Sequence, residues 1–141
     1  MKVYLDTSSL VKLYHFEQGS DILDNFFTNN RISIVFLSEV AKIEFASAMW
    51  KKVRICELDE VTAIGMLNLF EADAQKYTFI SVDSLIIEQA KVLLTKYGRS
   101  GLRTLDSIQL STCLTIRETA NYYFTADQLL QTLLRLEGFT V

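Results

Sequence analysis

Four acidic residues stand where a parallel sheet flanked by helices would bring them together, namely Asp6, Glu44, Asp106 and Asp127. Asp6 directly follows a short apolar run of strand composition, and Asp127 follows a second such run. Because α/β sheets bind ligands beyond the carboxyl ends of their parallel strands, carboxylates at these positions can meet in one site. Oxygen ligands that are mostly carboxylate suit Mg²⁺ or Mn²⁺. The spacing therefore predicts a divalent-metal site and favours a metal-dependent hydrolase.

Glu44 is the most informative of the four acids. Its neighbours at helical spacing are small or apolar, being Val40, Ala41, Ser47 and Ala48. A carboxylate on such a face is costly to bury unless a cation or hydrogen-bond donors compensate it. Two explanations stay open from the sequence, a salt bridge to an internal lysine or arginine and a bound metal ion.

The three aspartates have a simpler alternative explanation. Aspartate is a favoured N-cap residue, and in the first turn of a helix it interacts favourably with the macrodipole. Asp83 also follows a strand-like run and begins a helix, and we assign it to capping alone. Only the combined placement of Asp6, Asp106 and Asp127 with Glu44 favours ligands over caps.

The hydrophobic periodicity predicts strands that alternate with helices. Such an order requires right-handed crossovers, and it predicts an α/β fold with a parallel sheet of four to five strands and helices on both faces. Residues 7–9 and Ser38 are predicted to supply N-caps. The predicted strands are residues 2–5, 32–37, 78–82 and 122–124, with a possible edge strand at 139–141. The predicted helices are residues 7–14, a short helix from 19–20, and 38–54, 59–76, 84–97, 104–117 and 127–136.

Composition limits what such a site could serve. With 141 residues, 50% of them hydrophobic, the chain can bury a substantial core, and we expect one domain over residues 1–141 without a linker. An acid at position 6 interrupts what would be the apolar part of a signal peptide, and no run approaches 18 apolar residues, so a cytoplasmic protein is expected. Cys56 and Cys113 are isolated in sequence, which favours free thiols over a zinc or redox site.

The net charge of −3 does not exclude a nucleic-acid ligand. The four candidate ligands carry −4, so the remaining residues carry +1, and each bound metal ion would add two positive charges. Two groups of basic residues could contact phosphates, although exposed charges of this kind are usually only solvated. They are Lys51, Lys52 and Arg54 in one group, and Arg99 and Arg103 in the other.

Four segments, in their order along the chain, are similar to the motifs of a known family. They are Leu5-Asp-Thr-Ser-Ser-Leu-Val-Lys-Leu-Tyr14, residues 39–48 around Glu44, Leu102-Arg-Thr-Leu-Asp-Ser-Ile-Gln-Leu110, and Phe124-Thr-Ala-Asp127. By these segments the whole chain resembles the PIN-domain nucleases, and among them the toxins of VapBC-type toxin–antitoxin systems. The resemblance implies that Asp6, Glu44, Asp106 and Asp127 are the metal-binding and catalytic acids, and that Ser8 and Thr125 support the metal site.

The same resemblance implies a metal-dependent endoribonuclease that is the toxin of such a system. Its implied partners are an RNA substrate, a second copy of the chain in a homodimer, and a cognate antitoxin whose C-terminal segment lays basic and apolar residues into the acidic cleft. The expected cofactor is Mg²⁺, for which Mn²⁺ can substitute. RNA as the substrate rests on the resemblance alone.

The chemistry of such a metal site follows from general principles. Bound ions would lower the pKa of a water molecule, orient the scissile phosphate and stabilise charge on the leaving oxygen. Asp6 and Asp106 are expected to be the firmest ligands, with Asp127 completing the shell. Glu44 is expected to position or deprotonate the attacking water.

The sequence also weighs against competing chemistries. His15 is the only histidine and is expected at the surface, so one chain cannot supply a pair of imidazoles as general base and acid. Metal-activated water should therefore leave a 5′-phosphate and a 3′-hydroxyl. No phosphate-binding Gly-x-x-x-x-Gly-Lys loop is present. The second hypothesis is a catalytically inactive binding module for protein or RNA, in which the acids serve only as caps and in salt bridges; metal binding distinguishes it from the nuclease.

Overall fold

The computed structural model describes all 141 residues as four strands and seven α-helices. The strands are β1 (Lys2–Leu5), β2 (Ile34–Ser38), β3 (Thr78–Ile80) and β4 (Tyr122–Phe124). The helices are α1 (Thr7–Tyr14), α2 (Ser20–Asn29), α3 (Ala41–Arg54), α4 (Glu60–Asp73), α5 (Ser84–Tyr97), α6 (Thr104–Thr115) and α7 (Gln128–Leu136). Single 3₁₀ turns follow α4 at Ala74–Lys76 and α5 at Gly98–Ser100.

The four strands form one parallel sheet in the order β3-β2-β1-β4. Val3 of β1 pairs with Val35 on one side and with Tyr122 on the other. The chain moves outward from β1 through β2 to β3, and then crosses to the opposite side of β1 to form β4. The direction of winding therefore reverses between β1 and β4, and ligands of open α/β sheets bind beyond the carboxyl ends of the strands at such a point.

Each face of the sheet is covered by its own layer of helices. Side chains alternate between the faces along each strand. Tyr4 and Tyr123 pack with buried residues of α5, α6 and α7, whereas Leu5 and Leu37 pack with those of α1, α2, α3 and α4. The prediction of an α/β fold with a parallel sheet between two helical layers is confirmed.

The N-cap of α1 is Asp6, not one of residues 7–9 as predicted. Asp6 has extended backbone dihedral angles, and its Oδ1 accepts a hydrogen bond from the Ser9 amide at 2.9 Å. Thr7 and Ser8 are already helical, so the helix begins directly after β1. Asp6 is therefore the single residue between β1 and α1, which fixes the position of its carboxylate.

Helix α3 begins two residues later than predicted, because its N-cap is Val40 and not Ser38. Ser38 still belongs to β2 and pairs with Ile80, so the chain turns through Glu39 and Val40 before the helix starts at Ala41. The Ser38 hydroxyl accepts a bond from the Val40 amide at 3.3 Å, yet Val40 is the capping residue and has no side-chain cap. Glu44 consequently lies in the first turn of α3.

The possible fifth strand at residues 139–141 is absent. The segment makes a backbone bond from the Tyr123 amide to the Thr140 carbonyl at 2.9 Å, without forming a ladder. Gly138 turns the chain at φ 87°, and Phe139 is buried with its ring 4.5 Å from that of Tyr123. A side chain inserted into the core, and not strand pairing, therefore holds this segment.

Three smaller expectations have different outcomes. Cys56 is exposed and Cys113 is buried, and both are free, as predicted. His15 is partly exposed, in line with the expected surface position, although its Nδ1 is buried and has no hydrogen-bond partner. None of the helices combines the length and apolar character needed to cross a bilayer.

Candidate active site

Asp6 is a buried carboxylate at the winding reversal between β1 and β4. It is only 5% exposed and accepts bonds from the hydroxyls of Ser8, at 2.7 and 2.9 Å, and Thr125. Burial raises its pKa to about 6, and the negative charge of Glu44 adds to the rise, while its hydrogen-bond donors oppose it. The group is thus held in place by neutral donors, with no lysine or arginine paired to it.

Ser8 and Thr125 tie the end of β1 to the end of β4. The Ser8 oxygen accepts a bond from the Ala126 amide at 2.9 Å, and the Thr125 hydroxyl oxygen accepts one from the Asp127 amide at 3.1 Å. Since both hydroxyls also donate to Asp6, the two loops share one hydrogen-bonded unit. The two residues predicted to support the site therefore contact Asp6 directly.

Glu44 faces the same region from α3. Its Oε1 accepts bonds from the Thr7 hydroxyl at 3.0 Å and from Gln109 Nε2 at 2.8 Å. None of the salt bridges in the structure includes Glu44. The alternative of an internal salt bridge is therefore wrong, and neutral donors compensate this carboxylate.

Asp106 and Asp127 complete the set from two other helices. Asp106 lies in the first turn of α6, and its pKa is raised first by burial and then by the negative charges of Asp127 and Glu44, against the opposing effect of Arg103. Asp127 is exposed and caps α7, accepting a bond from the Leu130 amide at 2.7 Å. Asp127 is thus an N-cap, as the alternative explanation of the aspartates predicted. Its negative charge also acts on Asp106.

The four acids interact as a series of like-charged pairs. The negative charge of Glu44 contributes to the raised pKa values of both Asp6 and Asp106, and the charge of Asp127 contributes to that of Asp106. None of the four is in a salt bridge. No group of three or more acidic, histidine or cysteine side chains is close enough together to hold a metal ion. The structure thus places the four predicted residues in one region and in no salt bridge, with the charge of Arg103 offsetting part of that of Asp106.

Gln109 is a residue of this site that the sequence pattern did not reveal. It follows Asp106 by three positions, which places both on one face of α6. Its side chain is 2% exposed and joins Glu44 to the hydroxyl of Tyr4. The available signal was an amide in an apolar helix at i+3 from a candidate ligand.

A cleft beside Glu44 is lined by two of the three basic residues of the group Lys51, Lys52 and Arg54. It has a volume of about 500 Å³, and Ser8, Glu44, Lys51 and Arg54 are among its lining residues. Lys52 is buried and instead forms salt bridges with acidic residues on both sides, Glu17 at 2.7 Å and Glu57 at 3.2 Å. Lys51 and Arg54 therefore face the candidate site, whereas Lys52 is a structural cation.

Comparison with known proteins identifies the fold. The sequence matches no protein-family model and no curated protein. The structure is similar to that of Mycobacterium tuberculosis VapC20, described as a sarcin-ricin loop cleaving toxin, with a TM-score of 0.70 and 13% identity over 98% of this chain and 96% of that one. It is also similar to a chain of VapBC2 from Rickettsia felis, solved with a DNA fragment from their promoter, with a TM-score of 0.65 and 15% identity over 99% and 96%.

These two structures place the chain in a structural class. One is a VapC toxin and the other belongs to a VapBC assembly, and the likeness extends over nearly the whole chain. The protein therefore has a PIN-like fold, as the resemblance of its four segments predicted. At 13% and 15% identity the comparison establishes the fold alone.

Proposed function

We propose that the protein is a divalent-metal-dependent endoribonuclease and the toxin of a VapBC-type toxin–antitoxin pair. The observation that carries the proposal is that Asp6, Glu44, Asp106 and Asp127 lie in one region near the winding reversal, each within electrostatic range of at least one other and none in a salt bridge. Structural acids are usually neutralised by lysine or arginine when they are buried. Acidic side chains that are gathered without a salt bridge instead suit a bound cation.

The donor set fits Mg²⁺ or Mn²⁺. All the candidate ligands are oxygens, and Mg²⁺ is commonly held by one or two carboxylates with water and phosphate oxygens in the rest of its shell. One or two carboxylates suffice for such an ion, and we keep Asp6 and Asp106 as its proposed ligands, with Asp127 and Glu44 beside them. When bound, the ion would supply Lewis-acid polarisation of the phosphate and of water.

The protein's own groups have distinct tasks in phosphodiester hydrolysis. Ser8 and Thr125 orient the carboxylate of Asp6 through their hydroxyls. Glu44 keeps Oε2 without a donor from the protein, so this oxygen can orient the attacking water and accept its proton. These assignments are the same roles that the sequence predicted, and cleavage assays on variants test them.

The metal dependence can be tested with the wild-type protein. We expect cleavage of a labelled structured RNA in Mg²⁺ or Mn²⁺ but not in EDTA, with 5′-phosphate products. The same ions should raise the melting temperature, since a ligand at 100 times its Kd stabilises the folded state by about 2.7 kcal/mol. If the protein cleaved no RNA and neither ion changed its melting temperature, the result would instead support the binding-module hypothesis.

Lys51 and Arg54 are proposed to contact the phosphates of RNA in the cleft. The double variant Lys51→Ala, Arg54→Ala should weaken RNA binding and make log K less steeply dependent on log salt, by about one unit of slope for each phosphate that is no longer neutralised. Filter binding at several salt concentrations measures both quantities. The control is Lys76→Ala, Lys91→Ala, which removes two exposed cations from local salt bridges. Equal weakening by both variants would mean that only net charge matters.

An antitoxin and a second copy of the chain are the proposed protein partners. One similar structure is of a VapBC2 assembly, which supports an antitoxin partner. Exposed apolar side chains of Ile43 and Leu105 also line the cleft beside Glu44. A segment with basic and apolar residues, as the resemblance implies for an antitoxin, would match both the acids and this apolar rim.

A further inference from the structure

Gln109 has a buried side-chain amide, and no role has been assigned to it in the proposed reaction. All of its hydrogen-bonding atoms have partners. Its Nε2 donates to Glu44 Oε1 at 2.8 Å and to the Thr7 hydroxyl oxygen at 3.2 Å, and its Oε1 accepts a bond from the Tyr4 hydroxyl. A buried amide is costly unless its polar atoms are paired, so these contacts restrict how the side chain can lie.

Tyr4 determines which end of the amide meets Glu44. The phenol donates its single proton to Oε1 of Gln109, which turns the NH₂ group toward the carboxylate. If the amide were flipped, Oε1 would face a carboxylate oxygen with no proton between them. Tyr4 is 1% exposed and lies in β1, so the sheet itself holds the group that orients the amide.

The consequence for Glu44 is an unequal use of its two oxygens. Oε1 accepts bonds from Gln109 and Thr7, whereas Oε2 accepts none from the protein. A lysine in place of Gln109 would also fix the carboxylate, but it would neutralise the charge. An amide fixes the position of the group and leaves its negative charge available.

We propose that Gln109 is a positioning residue that holds Glu44 with Oε2 open to the cleft, and that Tyr4 sets the orientation of the Gln109 amide. Gln109 has no predicted contact with the RNA and acts only through Glu44. The inference rests on the proposed function for the part that Glu44 plays in cleavage. The hydrogen-bonded chain from Tyr4 to Glu44 can be tested without that function.

The first test compares kcat and KM for RNA cleavage. Gln109→Leu should lower kcat by about 10- to 100-fold, the loss typical when a residue that orients a site carboxylate is removed, with KM changed less than about threefold. Tyr4→Phe should lower kcat in the same direction by less. The control is Gln89→Leu, which removes an exposed glutamine that accepts a bond from Ser111. It should keep the wild-type kcat.

Gln109→Glu separates the need for shape from the need for a donor. Glutamate has nearly the same shape but sets a second carboxylate against Glu44 and offers no NH₂ group. Its kcat should fall at least as far as that of Gln109→Leu. A Gln109→Glu variant with wild-type kcat would overturn the proposal.

A double variant shows whether Gln109 acts through Glu44. Residues that work as one unit have non-additive effects. Glu44→Ala with Gln109→Leu should therefore cleave no more slowly than Glu44→Ala alone. A further loss of 10-fold or more in the double variant would show that Gln109 acts independently of Glu44, against the proposal.

NMR of the metal-free protein provides a readout that needs no activity. The side-chain amide protons of Gln109 should exchange slowly with water, and their resonances should shift in Glu44→Gln and in Tyr4→Phe. Exchange as fast as that of the exposed Gln75 amide would overturn the inference even if a variant failed to fold.

If Asp106→Asn lost activity but Gln109→Leu kept the wild-type kcat, the inference would fail and the proposed function would stand. If the wild type cleaved no RNA, the proposed function would fail and NMR would decide the positioning contact.

Discussion

Asp106→Asn should reduce RNA cleavage by at least about 100-fold, because loss of a residue that merely supports a metal ligand already costs about 10- to 100-fold. Asp106 accepts no hydrogen bond that the substitution would break, and its pKa is raised by burial and by the charges of Asp127 and Glu44. Asparagine removes that repulsion and keeps the shape of the side chain. The folded state should therefore be at least as stable as the wild type in EDTA.

Asp83→Asn is the matched control for this prediction. Like Asp106, Asp83 lies at the start of a helix, but it is the N-cap of α5, with Oδ1 accepting a bond from the Ile86 amide at 3.0 Å. Asparagine is an equally good N-cap, so this variant should cleave RNA at the wild-type rate. Single-turnover cleavage in Mg²⁺ and thermal melting in EDTA measure the two expectations. If Asp106→Asn cleaved as fast as Asp83→Asn, Asp106 would have no part in the reaction.

Asp6→Asn should make the metal-free protein more stable at neutral pH. Burial raises the pKa of Asp6 from 3.8 to about 6, so the folded state holds the proton more tightly than the unfolded chain. The stability that this carboxyl contributes is complete below about pH 4 and is lost as the pH rises through 6. Above that pH the charged form is a cost of roughly 2 to 3 kcal/mol, at 1.36 kcal/mol for each pKa unit. Asparagine keeps the cap through Oδ1 and removes the charge, and the Thr125 hydroxyl, which donates to Oδ2 of Asp6, can instead accept a bond from the asparagine NH₂ group.

The pH dependence distinguishes this effect from a general change in packing. The gain in stability should be near zero at pH 4 and reach about 5 to 10 °C in melting temperature at pH 7 for a chain of this size. Melting curves in EDTA from pH 4 to pH 8 give the profile. Asp59→Asn provides the contrast, because the Thr62 hydrogen bonds lower the pKa of that exposed cap and its removal should not stabilise. A gain that did not vary with pH would contradict the charge argument. Adding Mg²⁺ should raise the wild-type melting temperature and not that of Asp6→Asn.

The regular elements could be predicted where local signals mark both ends. Residues 84–97 were predicted to the residue because Asp83 marks the N-cap and Gly98 follows the last helical turn. The possible strand at 139–141 failed for the opposite reason. Strand-like composition does not reveal that Phe139 inserts into the core against Tyr123, which is a contact with another part of the chain.

The basic residues show a similar limit on the site. Lys51 and Lys52 are adjacent in sequence, but successive helical residues point about 100° apart. Lys52 consequently meets Glu17, 35 positions earlier, while Lys51 lines the cleft. Neither partner can be read from the local charge pattern.

Gln109 was missed because its function depends on distant partners. Its contacts to Tyr4 and Glu44 span 105 and 65 positions. The four acids were easier to select, since three of them also have the local signature of a strand end or a helix start. The sequence thus indicates which acidic residues come together, whereas the hydrogen-bond partners that fix their side chains depend on the packing of distant segments.

The pairing of β1 with β4 also bears on when the site can form during synthesis. Asp6 requires the Thr125 hydroxyl, 119 positions later in the chain, and β4 is the last strand to be made. At a ribosomal rate of about 5 to 20 residues per second, Thr125 follows Asp6 by roughly 6 to 24 seconds. Throughout that interval the emerging polypeptide holds an isolated aspartate with only the donors of its own helix. A nascent chain therefore cannot complete the arrangement near the ribosome that is making it until its final strand has joined the sheet.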